Sequence, residues 1–162
     1  MDMLVNLYAM PLREDDPELV RQGIRVVRAI SPNRLEVLNF VEQKFGKAWA
    51  GECAAAFANS PVSCFIAVHK RRVVGFACYD ATARGFFGPI GVSEEMRVCG
   101  VGGALLRRCL AAMREEGYGY AIIGGGSGVH GFYEKEAGAV MIPGSDPGIY
   151  ERLISYEPEE KK

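Results

Sequence analysis

Arg97-Val98-Cys99-Gly100-Val101-Gly102 stands between an apolar run, Phe86 to Val92, and a helical stretch, Gly103 to Glu116. A chain that turns from strand into helix with glycines at the corner bares several N–H groups that have no intrahelical partner, all aimed at one spot beside the positive dipole end. Such a corner binds phosphate. Gly100 and Gly102 lack a Cβ, so both are expected to take positive φ and to let a diphosphate approach the main chain. Arg97 adds a permanent charge with forked donors. Behind the corner, Leu105, Leu106, Cys109, Leu110 and Met113 recur at intervals of three and four, one apolar stripe of a packed helix.

Outward from this corner the chain alternates between strand and helix signals. Met3 to Met10 is short and apolar and is closed by Pro11, so it reads as a first strand. Asp16-Pro17-Glu18 offers an N-cap, a proline at N1 and an acid in the first turn, and Val20, Ile24, Val27 and Ile30 follow on one face, predicting a helix to about Ile30. Ser31-Pro32 repeats the cap-plus-proline signal before a second helix ended by Gly46, and Trp49 to Ala58 continues as helix. Cys64 to His69 and Val73 to Asp80 form a predicted hairpin around Lys70-Arg71-Arg72, and Gly85 to Val92 pairs next. After the long helix come a central strand at Tyr120 to Ile123, a helix at Val129 to Ala137, and two last strands at Ala139 to Ile142 and Ile149 to Tyr156.

This order predicts an α/β fold with a mixed sheet. Three strands in succession without helices pair antiparallel, whereas the strand, long helix, strand unit from 85 to 123 implies a right-handed parallel crossover. Pro89 lacks an N–H and, with Gly88 and Gly91 beside it, suits a β-bulge.

Composition narrows the function classes. A chain of 162 residues fits one domain, read as 1–156 with a charged tail at 157–162, since domains cluster near about 100–150 residues. The formal net charge of −1 argues against a general nucleic-acid binder. No apolar stretch reaches membrane-spanning length, so no membrane partner is expected. Five cysteines without a Cys-x-x-Cys pair, and a start lacking a basic segment followed by a long apolar one, point to reduced thiols, a cytoplasmic location and no metal-ligand cluster.

The pattern Arg-x-x-Gly-x-Gly in this setting resembles the acyl-CoA pyrophosphate loop of the GNAT N-acetyltransferase superfamily. Phe86-Phe87-Gly88-Pro89-Ile90-Gly91-Val92 is similar to that family's fourth strand, Tyr118 to Ile123 to its fifth, and Phe132-Tyr133-Glu134-Lys135 to the start of its last helix. The resemblance covers residues 63 to 156, while the N-terminal third matches by order of elements. It implies acetyl-CoA as co-substrate and an amine acceptor; many relatives in the superfamily dimerise, which leaves a homodimer open, and the sequence's lack of metal-ligand spacing predicts no metal. It also implies that the strands flanking the crossover splay apart and receive the pantetheine arm. The implied coenzyme contacts are Val92, Arg97, Val98, Cys99, Gly100, Val101, Gly102 and Gly103, with main chain near Val92 orienting the acetyl carbonyl. Tyr133 takes the position of the tyrosine that protonates the leaving thiolate.

A general base is not evident, and Asp80, Glu94, His130 or a water chain are the candidates. Two other classes compete. A noncatalytic acyl-CoA sensor would keep the loop without turnover. Gly126-Ser127-Gly128-Val129-His130-Gly131, between a strand and a helix, mimics a dinucleotide fingerprint, but too little chain follows it to complete a Rossmann half. Glu14, Asp15 and Asp16 are acids that would favour a cationic acceptor if they reached the pocket.

Overall fold

The structure, a computed structural model, describes residues 1–11, 16–125 and 128–154, without the side chains of Val98 and Cys99. Glu14, Asp15, Gly126, Ser127 and the tail at 157–162 lie outside the described residues. The strands are β1 (Met3–Asn6), β2 (Ile24–Arg28), β3 (Cys64–His69), β4 (Arg72–Tyr79), β5 (Phe86–Val92), β6 (Tyr120–Ile123) and β7 (Val140–Met141). The helices are α1 (Pro17–Arg21), α2 (Arg34–Phe45), α3 (Lys47–Phe57), α4 (Val101–Glu115) and α5 (His130–Ala137).

Among the described residues the strands form one mixed sheet in the order β2-β3-β4-β5-β6-β1-β7. β2 to β5 pair antiparallel in succession, β5 pairs β6 parallel, and β1 runs antiparallel between β6 and β7. The crossover through α4 is therefore the expected parallel unit. The β5–β6 ladder holds only Phe86 opposite Ile122 and Phe87 opposite Ile123 before the two strands part. They part at the bulge. Between the pairs Ala77–Ile90 and Tyr79–Phe87, one residue of β4 faces Gly88 and Pro89 of β5, and Pro89 has no N–H to lend to either neighbour.

Apolar strands buried on both faces divide the core in two. On β3 and β4, Phe65, Ala67, Ala77 and Tyr79 join the cluster under α4, while Cys64, Ile66, Phe76 and Cys78 join the cluster under α2 and α3. This is the two-residue alternation of a strand read from both sides. The α4 stripe of Leu105, Leu106, Cys109, Leu110 and Met113 is fully buried, as its spacing predicts.

Several expectations are corrected. The helix expected from Asp16 to Ile30 stops at Arg21; Gly23, at φ +72°, breaks it, and Ile24 to Arg28 is strand β2. Ile24 and Val26 face the core while Arg25 is exposed, so a period of two had passed for a helical face. Asp16 does cap α1, its carboxylate accepting from the Glu18 N–H at 2.9 Å. Ser31 opens a 3-10 turn instead of capping α2. The last strand expected at Ile149 to Tyr156 is a 3-10 helix at Gly148–Arg152 in its described part, where Gly148 (φ +61°) follows Pro147 and turns the chain inward.

Three cysteines without metal-ligand spacing in the sequence do meet in the fold. Cys53, Cys64 and Cys78 come together with their sulfurs within 4.8 Å of one another, fully buried in the cluster under α2 and α3. They arrive from one helix and two strands, so no local spacing announced them. No described helix is long and apolar enough to cross a membrane.

Candidate active site

Where β5 and β6 part, a cleft of about 800 Å³ opens through the sheet. Arg97, Gly102, Phe132 and Tyr133 line it from the α4 and α5 side, and Phe45, Trp49 and Glu52 line it from the α2 and α3 side. Its floor is the bulged stretch Gly88 to Val92, and its far wall is Ile123, Gly124 and Gly125.

At one end stands the N-terminus of α4. Gly100 precedes it in the left-handed region at φ +80°, a conformation that strains residues with a Cβ, and no side chain caps the helix. The first intrahelical bond runs from the Ala104 N–H to the Gly100 carbonyl, so the N–H groups before Ala104 have no helical partner. Gly102 does not share the positive φ expected of it: it lies within α4, and a Cβ there would make ordinary van der Waals contact with Phe132 and Val92 on the cleft wall. Arg97 is exposed in the 3-10 turn Glu94–Cys99 and donates from Nε to the Val92 carbonyl at 3.3 Å. Val101 and Gly103 are buried and line no part of the cleft, and the Asp16 carboxylate lies 3.7 Å from where a Cβ on Gly100 would sit.

Tyr133 stands on the wall with its ring edge-on to Phe87 and Phe132. No described residue hydrogen-bonds its hydroxyl. Burial first, and then the neighbouring Tyr150 phenol, push its pKa up to about 12, so the hydroxyl keeps its proton throughout the neutral range. The α5 helix that carries it is pinned to α4 by Arg107 and Glu136, 2.7 Å apart.

The expected bases are elsewhere. The Asp80 carboxylate accepts from the Gly85 N–H at 2.7 Å and from the Tyr118 hydroxyl at 2.8 Å, which fixes the turn between β4 and β5. Glu94 is exposed, and His130 lines no part of the cleft although its Nε2 is buried without a described partner. The cleft carboxylate is instead Glu52, accepting from the Thr82 hydroxyl at 2.8 Å. Sequence reading missed it together with Trp49, Phe45 and Tyr150. The one local signal was the i, i+3 spacing of Trp49 and Glu52, which puts both on the same face of α3.

The family model of the acetyltransferase (GNAT) family matches residues 34–139. The chain belongs to the GNAT acetyltransferase family. Solved structures agree on the fold. A GCN5-related N-acetyltransferase from Sphaerobacter thermophilus superposes with a TM-score of 0.63 at 19% identity, over 86% of this chain and 47% of that one. A GNAT family acetyltransferase from Brucella melitensis, solved in complex with acetyl-CoA, gives 0.56 at 19% identity, over 70% and 81%. A GCN5-related glucosamine N-acetyltransferase region of a fungal multi-domain β-N-acetylglucosaminidase gives 0.60 at 12%, over 75% and 17%. The chain thus spans less than half the length of the Sphaerobacter and fungal proteins. No curated protein matches this GNAT chain by sequence. The dinucleotide reading gains nothing from the fold, because the eight residues of α5 lead only to β7, a two-residue strand antiparallel to β1.

Proposed function

We propose that this GNAT domain transfers an acetyl group from acetyl-CoA to a primary amine. The observation that carries the reading is the opening between β5 and β6, with the uncapped start of α4 at one end and the Tyr133 hydroxyl on its wall. The diphosphate accepts from the free N–H groups ahead of Ala104, with Arg97 adding charge, and the pantetheine arm lies along the parted strands. The amine nitrogen, unprotonated, attacks the thioester carbonyl carbon. The C–S bond breaks, its electron pair leaves on sulfur, and the Tyr133 hydroxyl donates the proton that makes the free thiol. The nitrogen's surplus proton leaves to water in the cleft. Main chain beside Val92 orients the carbonyl oxygen as it gains charge.

Calorimetry with acetyl-CoA and a thiol-release assay over a panel of amines test this. Gly102→Trp fills the cleft beside Val92 and Phe132 and should abolish acetyl-CoA binding in a folded protein; unchanged affinity overturns the site. The absence of Asp80, Glu94 and His130 from the cleft favours a second reading, an acyl-CoA sensor without turnover. Acetyl-CoA binding with no thiol released for any amine would establish it.

A further inference from the structure

The α2 and α3 side of the cleft has a chemistry of its own. Phe45, Trp49 and Phe76 form a ring cluster with centroids 5.5 to 6.3 Å apart, and Phe45 and Trp49 face the opening. Tyr150 closes it from the opposite side, brought inward by the 3-10 turn after Pro147. Among the described residues that line the cleft, Glu52 is the sole carboxylate. It is half-buried, its one recorded partner is the Thr82 hydroxyl, and no described cation pairs with it. A carboxylate held by one hydroxyl in an aromatic chamber has lone pairs to give to a donor that enters the cleft.

The surroundings strengthen this polarity. The Tyr150 phenol is raised above its ordinary value by burial, then by the negative charges of Glu52 and Asp2, so both carboxylates act on the same end of the cleft. Arg97, the one described cation on the lining, belongs to the α4 side. The α4 side of the cleft therefore favours anions and the α3 side favours a cation.

We propose that this chamber is the acceptor subsite and that it selects a small primary monoamine, whose ammonium pairs with Glu52 while an apolar body lies against Phe45, Trp49 and Tyr150. A single carboxylate matches a single ammonium, and aromatic walls attract both apolar surface and cationic charge. The inference rests on the acetyl-transfer reading for its biological sense. Glu52 acts by recognition: it seats the nitrogen, which loses its proton to water before attacking.

Trp49 is the protein's only tryptophan and is 37% exposed, so its fluorescence reports on this chamber whether or not acetyl transfer occurs. Titrating the intact protein with 2-phenylethylamine should change the indole emission saturably. Glu52→Gln should weaken that binding roughly tenfold. Glu52→Asp, which keeps the charge on a shorter stem, should lose less. The neutral 2-phenylethanol should bind the original protein and Glu52→Gln alike. In thiol release, Glu52→Gln should raise KM for the amine and leave acetyl-CoA affinity unchanged. Equal affinity of both proteins for the amine, no emission change with any amine, or spermidine binding as tightly as 2-phenylethylamine would each overturn the proposal. Failure of acetyl-CoA to bind in calorimetry sinks the transferase reading instead, and the indole titration still measures the amine subsite.

Discussion

Arg107 on α4 and Glu136 on α5 meet at 2.7 Å, and their contact fills the space that a side chain on Gly103 would need. A Cβ on Gly103 would lie 2.8 Å from Glu136 Oε2 and 3.0 Å from Arg107 Nη1. Gly103, in the first turn of α4, thus leaves room for α5 to dock. Tyr133 lies one helical turn before Glu136, so the ion pair holds the helix that carries the phenol.

Glu136→Gln should therefore cost about 1.5–3 kcal/mol of stability, the range for a hydrogen bond to a charged group. It should lower kcat more than it weakens acetyl-CoA binding, because α5 carries Tyr133 while the N–H groups of α4 are untouched. Denaturant melts and a kcat-against-Kd comparison check both halves. Gly103→Ala should cost less, because the atoms in its way are the far ends of the flexible Arg107 and Glu136 side chains.

Tyr133→Phe should reduce kcat by about 10²–10⁴, the worth of a positioned proton donor, with acetyl-CoA affinity intact. Its raised pKa also makes an alkaline prediction. Between about pH 10, where a phenol in unfolded chain ionises, and about 12, where the buried one does, the unfolded state holds fewer protons. Stability present below pH 10 is lost as pH rises through that window. Tyr79, pushed up to about 12 chiefly by burial, acts in the same direction. Melting curves from pH 9 to 12 should fall less steeply in Tyr133→Phe.

Gly91 carries the weight of the Phe45 ring. A Cβ there would come within 2.5 to 2.8 Å of three ring atoms, so Gly91→Ala must displace Phe45 and disturb its stack with Trp49. The expected cost is about 1–3 kcal/mol. Phe45→Leu should suppress it in a double-mutant cycle, since the two positions share one space.

Asp16 stands close to the phosphate corner with its carboxylate already capping α1. Asp16→Asn keeps the cap, because asparagine caps as well as aspartate. It removes a negative charge that repels a diphosphate, so acetyl-CoA should bind several-fold tighter at low salt, with the gain fading as ionic strength rises. Calorimetry at two salt concentrations reads this directly.

The parts of the fold that could be read from sequence were those with local causes. The strand-to-helix corner at 97–102, the hairpin tip at Lys70-Arg71 and the bulge at Gly88-Pro89 each follow from a few adjacent residues, and each stands where it was expected. Ile24 to Arg28 misled because Val20, Ile24 and Val27 satisfy helical spacing as well as Ile24 and Val26 satisfy alternation; only Gly23 decided between them. On the site side, Val92, Arg97, Gly102 and Tyr133 do line one cleft. Glu52 and Tyr150 were hidden, since what makes them neighbours is the opening in the sheet and not any interval along the chain.

That opening is lined from both faces of the sheet, by Arg97, Gly102 and Tyr133 on the α4 and α5 side and by Trp49, Glu52 and Tyr150 near α3 and the turn at Gly148–Arg152. On the acetyl-transfer reading, coenzyme and amine occupy opposite sides of this opening and are resident together, with neither obliged to depart before its companion arrives. Initial velocities plotted in double-reciprocal form should give intersecting lines, the pattern of a ternary complex, and parallel lines would mean that an acylated protein is formed on the way.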